Sequence, residues 1–207
     1  MLFDLDGTLI DSMGDNYLAW KAALKSENVP ISKEEYYPLE GMPVTEIAKL
    51  FLKKYDSSQE KVQRVIEFKN KFYKENHKIK FYPGVKKFVK YAKSKNGLIA
   101  IVTASPREKL LQTVPKKFLD QFDCLISGDC TKQGKPYPDP YILAAKKLGL
   151  NPQECVVIEN APLGVESAKN ARMFCIAIGS TVPKEKLEKA DIFVKNFKKL
   201  IELKQFQ

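Results

Sequence analysis

Histidine, arginine and cysteine are scarce in this chain. His77 is the only histidine, and only Arg64, Arg107 and Arg172 carry guanidinium groups. The four cysteines, Cys124, Cys130, Cys155 and Cys175, form no CxxC pair and no zinc-like spacing with His77. That excludes a zinc finger and a disulfide miniprotein, and it points to buried thiols in a reducing compartment. No apolar run approaches the ~20 residues that cross a bilayer. The N-terminus, Met1-Leu2-Phe3-Asp4, lacks the basic and apolar regions of a signal peptide. No membrane partner and a cytoplasmic location are the default expectations, and a monomer is expected. Internal repeats and low-complexity tracts are also missing.

What is present is an ordinary globular composition. The 207 residues are 44% apolar and 29% charged, enough for one large domain or two small ones. The net charge of +10 is unusual and comes almost entirely from lysine. Lysines such as Lys86, Lys87, Lys90, Lys93 and Lys95 are spread as on the solvent face of a helix. Bidentate reading of phosphates and bases favours arginine. A lysine-rich solvated surface therefore fits better than a nucleic-acid partner.

Six short apolar runs read as buried strands: Met1–Phe3, Leu98–Val102, Cys124–Ser127, Cys155–Ile158, Phe174–Ile178 and Ile192–Val194. Helical patterns alternate with them, over 84–94, from Asp139-Pro140 to Gly149, and over 163–171. That alternation predicts an α/β fold with a mostly parallel sheet. Residues 12–80 break it. They contain no convincing strand and read as helices over 13–27, 43–54 and 58–77, the last opening on a Ser57/Glu60 capping box. Tyr82-Pro83-Gly84 marks the return to the main body. The predicted organisation is a core of 1–11 and 81–207 with an inserted helical lid over 12–80. A terminal helix is predicted over 195–207.

Four segments carry candidate chemistry. Phe3-Asp4-Leu5-Asp6-Gly7 places two carboxylates, on alternate residues of an extended segment, towards one site. Such a pair suits nucleophile and acid/base roles; alone, it also fits an Asx turn. Thr103-Ala104-Ser105-Pro106 ends a strand and opens a helix with a Ser105/Glu108 capping box. It reads as simple capping or as an anion site. Gly134-Lys135-Pro136 fixes a lysine in a stiff loop, either a phosphoryl clamp or a surface turn. Glu159-Asn160 ends a β-branched strand and offers oxygen ligands of the kind Mg²⁺ takes, or else an N-cap. All four fall at the C-terminal ends of predicted strands, the ligand-binding edge of open α/β sheets.

Together these residues resemble the haloacid dehalogenase superfamily of aspartate-nucleophile phosphotransferases. The matching motifs are Asp4-Leu5-Asp6-Gly7-Thr8, Thr103, Lys135-Pro136, and Glu159-Asn160 with Gly164. The insert resembles the small α-helical cap of the β-phosphoglucomutase and phosphatase branch. The resemblance implies a Rossmann-like core and Mg²⁺ held by Asp4, the Asp6 carbonyl and the Glu159-Asn160 pair. It implies Asp4 as nucleophile and Asp6 as acid/base. Thr103 and Lys135, with the backbone N–H groups of Leu5 and Ala104, would hold the phosphoryl group. The implied partner is a small phosphorylated metabolite: a phosphosugar, a phosphorylated polyol or phosphoglycolate.

The chain departs from that pattern at several points. Asn160 stands where relatives carry Asp, which removes a negative charge and leaves either Asn160 or Glu159 as the direct ligand. Asn16 and Val44 stand where the mutases carry histidine and arginine. Trp20 matches a mutase aromatic, as substrate contact or cap core. Only three residues precede Asp4, so an unusually short central strand is expected, and the sequence leaves open whether the true start lies upstream of Met1. The leading expectation is a phosphatase. Its rivals are a phosphomutase, a phosphoacceptor signalling module and a basic nucleic-acid binder.

Overall fold

The computed structural model describes residues 1–95 and 97–203. Its centre is a six-stranded parallel sheet of β1 (Leu2–Phe3), β2 (Ala100–Val102), β3 (Cys124–Ile126), β4 (Val156–Glu159), β5 (Phe174–Ile178) and β6 (Ile192–Val194). The strand order is β3-β2-β1-β4-β5-β6. The order reverses between β1 and β4, so a crevice opens beyond their carboxyl ends. The expected α/β parallel core is therefore observed. β1 is short because Asp4 leaves the ladder to turn, although its amide still donates to the Ile158 carbonyl at 3.0 Å.

Strands covered on both faces read as continuous apolar runs, and these do. Successive residues feed opposite cores. Phe3, Ile101, Ile158 and Ile176 join one cluster with Val85, Phe88 and Val89 of α5 (Val85–Ser94). Leu2, Ala100, Val102, Val157 and Cys175 join the other, with Tyr141 and Ala144 of α8 (Asp139–Leu148) and Val165 of α9 (Pro162–Asn170). Phe3 meets Phe88 and Phe122 edge-on, with ring centroids 6.1 Å apart in each pair. Each such buried side chain contributes about 1.5–3 kcal/mol. Burial of the β1 residues therefore anchors the aspartates that follow.

Residues 12–80 hold only helices and turns among regular elements: α1 (Met13–Lys25), α2 (Lys33–Tyr36), α3 (Val44–Lys54) and α4 (Val62–Asn76). Met13, Trp20, Leu24, Phe51 and Val65 pack into a third apolar cluster lying wholly within residues 13–66. Ser32 and Glu35 form a full capping box at α2. Two expected caps differ. Ser58, not Ser57, accepts from the Glu60 amide, ahead of a short 3-10 turn at Gln59–Lys61. Ser105 caps no helix: α6 (Arg107–Thr113) receives its cap from Asp129, which accepts from the Arg107 amide at 3.2 Å. The chain continues through α7 (Lys116–Leu119) to α10 (Phe197–Ile201). The helix expected over 195–207 is shorter: Asn196 caps its start and Glu202 its end, and residues 204–207 lie outside the described residues. Among the described residues all four cysteines are free, and Cys155 and Cys175 are buried. No described helix is long and apolar enough to cross a membrane.

Candidate active site

The crevice gathers Asp4, Asp6, Thr103, Lys135, Glu159 and Asn160, every one of them at most 7% exposed. β1 delivers Asp4, β2 delivers Thr103 and β4 delivers Glu159, each at a carboxyl end. Lys135 enters from the loop between β3 and α8. Its Nζ donates to Asp4 Oδ1 at 2.7 Å, to Glu159 Oε1 at 2.6 Å and to the Val102 carbonyl at 3.2 Å. Burial opposes the Lys135 charge, but the two carboxylates outweigh it and raise its pKa. Burial pushes the Asp4 carboxyl well above its usual range, and Lys135 pulls against that shift.

Glu159 is fully enclosed. Besides Lys135 it accepts from Tyr141 OH at 2.9 Å and from the backbone amides of Asn160 and Ala161 at 2.8 and 3.0 Å. Its carboxylate lies flat against the start of α9, which requires Gly164: a Cβ there would sit 1.7 Å from Glu159 Oε1. Glu159 thus faces Lys135 and Tyr141.

Asn160 faces the aspartates, and its carboxamide has two arrangements. With the carbonyl turned in, Oδ1 accepts from Thr8 Oγ1 at 2.6 Å, and Nδ2 donates to Thr181 Oγ1 at 2.9 Å. Oδ1 then stands 3.1 Å from Asp4 Oδ2 and 3.3 Å from the Asp6 carbonyl, oxygen against oxygen. With the amide turned in, the NH₂ donates to both of those oxygens and to Thr8, while the carbonyl accepts from Thr181. The first arrangement requires a cation between the oxygens. The second arrangement satisfies every partner without a cation; for the first, six oxygens at about 2.1 Å around Mg²⁺ stand about 3 Å from their neighbours, and the two spacings from Asn160 Oδ1 match that distance. Among the described residues no group of three His, Cys, Asp or Glu side chains is placed for a metal. This set instead combines a carboxylate, a backbone carbonyl and an amide. Gly7 is needed beside it, because its φ is +84° and a Cβ would sit 2.3 Å from Asn160 Nδ2.

Asp6 points the other way, towards the helical unit. It accepts from Ser12 Oγ at 2.6 Å, Ser105 Oγ at 3.1 Å and Asn16 Nδ2 at 3.4 Å. Burial would raise its pKa, but the Lys109 charge, the two hydroxyls and Lys69 hold it below the usual range. Thr103 Oγ1 accepts from the Ser105 amide at 3.1 Å. Trp20 is 1% exposed within the helical cluster, and its ring backs Lys69.

Sequence reasoning missed Ser12, Lys109, Glu40 and above all Lys69, and it gave Ser105 a capping role where its hydroxyl donates to Asp6. Lys69 is 2% exposed. It occupies the inward stripe of α4 with Val65, Ile66 and Tyr73. A lysine four residues from each of two apolar stripe positions was the available signal.

A family model for haloacid dehalogenase-like hydrolases matches residues 1–178. The chain belongs to this family and is a hydrolase of it. It is 30% identical over 175 residues to a phosphorylated carbohydrates phosphatase of Thermotoga maritima, covering 83% of this chain and 80% of that one. It is 32% identical over 183 residues to hexitol phosphatase B of Escherichia coli, covering 86% and 82%. A solved structure of a putative β-phosphoglucomutase from Bacteroides vulgatus superposes with a TM-score of 0.88 at 27% identity, covering 99% and 86%.

Proposed function

We propose that this chain is a Mg²⁺-dependent phosphatase of small phosphorylated metabolites, working through an aspartyl-phosphate on Asp4. The observation that carries the reading is the division of the Asp4 carboxylate. Oδ1 takes the Lys135 ammonium, and Oδ2 stands 3.1 Å from the end of the Asn160 carboxamide that also faces the Asp6 carbonyl. The relatives named as phosphatases support the same chemistry.

In this reading Asp4, the Asp6 carbonyl and Asn160 hold magnesium, and Glu159 positions Lys135. The bound ion supplies positive charge to the phosphoryl oxygens. Asp4 attacks phosphorus as the bond to the leaving oxygen breaks. The incoming phosphoryl dianion opposes the pull of Lys109 and Lys69 on Asp6 and lets it take up a proton with the substrate; Asp6 gives that proton to the leaving oxygen and later takes one from the attacking water. Lys135, Thr103 and the amides of Leu5 and Ala104 hold the phosphoryl group; alignment and charge dominate such transfers. Residues 12–80 act as a cap over a core of 1–11 and 81–207, and closing it excludes water during attack. Asn16 and Trp20 sit on the cap side, where the leaving group would lie.

The test is phosphate release from a panel of phosphometabolites, with and without Mg²⁺, by the wild type and Asp4→Asn. The proposal expects metal-dependent turnover that the nearly isosteric variant abolishes. Turnover by Asp4→Asn near the wild-type rate would refute it. The likeness to the Bacteroides structure favours a phosphomutase as second reading. An isomer recovered from a sugar phosphate and bisphosphate mixture, in place of inorganic phosphate, would decide for it.

A further inference from the structure

Above Asp6 a cavity of about 60 Å³ lies between the helical unit and the sheet edge, lined among others by Asn16, Tyr36, Glu40, Lys69, Ser105 and Lys109. Two ammonium groups meet there. Lys69 Nζ and Lys109 Nζ donate to the same acceptor, Asn16 Oδ1, at 3.2 and 3.4 Å. Lys109 also donates to Ser105 Oγ at 3.3 Å. Among the described residues neither lysine has a carboxylate within 4.0 Å, although this chain forms eleven such ion pairs elsewhere. Their other neighbours are aromatic faces: Lys69 lies 5.5 Å from the Trp20 centroid and 5.3 Å from that of Tyr73, and Lys109 lies 4.2 Å from Tyr73. Such faces favour cations but neutralise nothing.

A buried, unpaired charge is costly, and two of like sign are worse. Burial and the neighbouring Lys109 pull the Lys69 pKa well down, against the weaker opposing pull of Asp6 and Glu40. The nearby Glu40 does not offset the pair: burial and the Asp6 charge push its pKa up to about 7. What is missing is a compact anion that meets both ammonium groups at once.

We propose that the lysine pair receives an anionic group on the leaving portion of the substrate, so that this enzyme prefers phosphate monoesters of small hydroxy acids to those of neutral sugars or polyols. The inference rests on the phosphatase reading above and narrows it. The cavity adjoins Asp6, the proposed proton donor, so a carboxylate a few atoms beyond the ester oxygen reaches the lysines while the phosphoryl group faces Asp4. The hexitol-sized substrate suggested by one relative's name would have to be accommodated without an ionic partner for either lysine.

The experiment compares phosphoglycolate with 2-hydroxyethyl phosphate, a neutral ester of similar size. Charge-assisted hydrogen bonds carry 1.5–3 kcal/mol, so the wild type is expected to favour phosphoglycolate by about 10- to 100-fold in kcat/KM. Lys69→Met and Lys109→Met should each collapse that ratio towards one. Lys109 is half-buried at the rim and serves where Lys69→Met fails to fold. A calorimetric titration of Asp4→Asn with both esters reads the same preference without turnover. Equal binding of the two esters, or a preference untouched in Lys109→Met, overturns the anion site. Equal turnover of both esters would refute it while leaving the phosphatase reading intact. Failure of every ester to release phosphate would instead strike that reading, and the titration would still judge the lysine pair.

Discussion

Lys135→Met should cost about 3–5 kcal/mol of folding stability, the range for removing one partner of a buried ion pair. Lys135 is 3% exposed and Glu159 is 0% exposed, and Asp4 completes the triad at 2.7 Å. Methionine keeps much of the volume and removes the cation, so two carboxyl groups remain enclosed with nothing between them. With a urea m-value of about 3 kcal/mol/M, the loss appears as a midpoint lower by about 1–2 M. The pH dependence has a definite sign. Burial already raises the Asp4 pKa in the folded state, and Lys135 pulls against it. Without Lys135 the folded protein holds the Asp4 proton to still higher pH than the unfolded chain does. Stability of the variant therefore falls, relative to wild type, as pH rises. The deficit should be smaller at pH 5 than at pH 8. The double variant Lys135→Met/Glu159→Gln should recover more than half of it, because only one carboxyl then remains. A deficit below about 1 kcal/mol, or one equal at both pH values, would refute the account of Lys135 as the electrostatic centre of the crevice.

Asn160→Asp should lower metal-free stability, because it sets a second carboxylate about 3 Å from Asp4 Oδ2 with no NH₂ to bridge them. It should also tighten Mg²⁺ by about ten-fold or more, read by calorimetry, given one added negative charge beside a divalent ion. Gly164→Ala should destabilise by about 1–3 kcal/mol despite its better helix propensity, since the new methyl meets an enclosed carboxylate; a raised melting temperature would contradict this. Glu40 titrates at about 7 in the folded state. The folded protein therefore binds more protons than the unfolded chain between about pH 4.5 and 7, and stability drops through that window by at most about 3 kcal/mol. Glu40→Gln should flatten that slope, measured as the wild-type-minus-variant difference in urea midpoint.

The sheet was legible because a parallel strand buried on both faces needs an uninterrupted apolar run, and Phe174–Ile178 and Ile192–Val194 match their observed strands residue for residue. Ends were less legible where a side chain had a better partner than the local backbone. Ser105 has the spacing of a helix cap, yet its hydroxyl goes to Asp6, whose buried charge is the stronger acceptor. At the crevice, residue types and strand-end positions identified Asp4, Thr103, Lys135 and the Glu159-Asn160 pair. They could not say which way neighbouring side chains point. Glu159 and Asn160 are adjacent on an extended segment and so face opposite ways, one to Lys135 and one to the aspartates. Lys69 and Lys109 stayed hidden for another reason. In a chain with this much lysine, composition gives no hint that two of them turn inward and meet across 40 residues.

The two ends of the cavity are governed by different parts of the chain. At the β1 and β4 ends, Asp4 and Glu159 bring two negative charges and Lys135 one positive, all fixed by the sheet and by Gly164. A phosphoryl dianion arriving there adds more negative charge to a region already in deficit of cations. Attack by a carboxylate on that group then needs positive charge beyond Lys135. The oxygen cluster of Asp4, the Asp6 carbonyl and Asn160 is where the fold can accept it. On the far side of Asp6 the imbalance is reversed: the helical insert and the start of α6 supply two cations that share the field of the single Asp6 carboxylate, with which neither pairs directly. A molecule that is anionic at both ends satisfies both imbalances, and one that is anionic only at phosphorus leaves Lys69 and Lys109 facing each other. In the proposed reading the core residues therefore decide the bond to be broken, and the inserted helices select by charge what is attached to it.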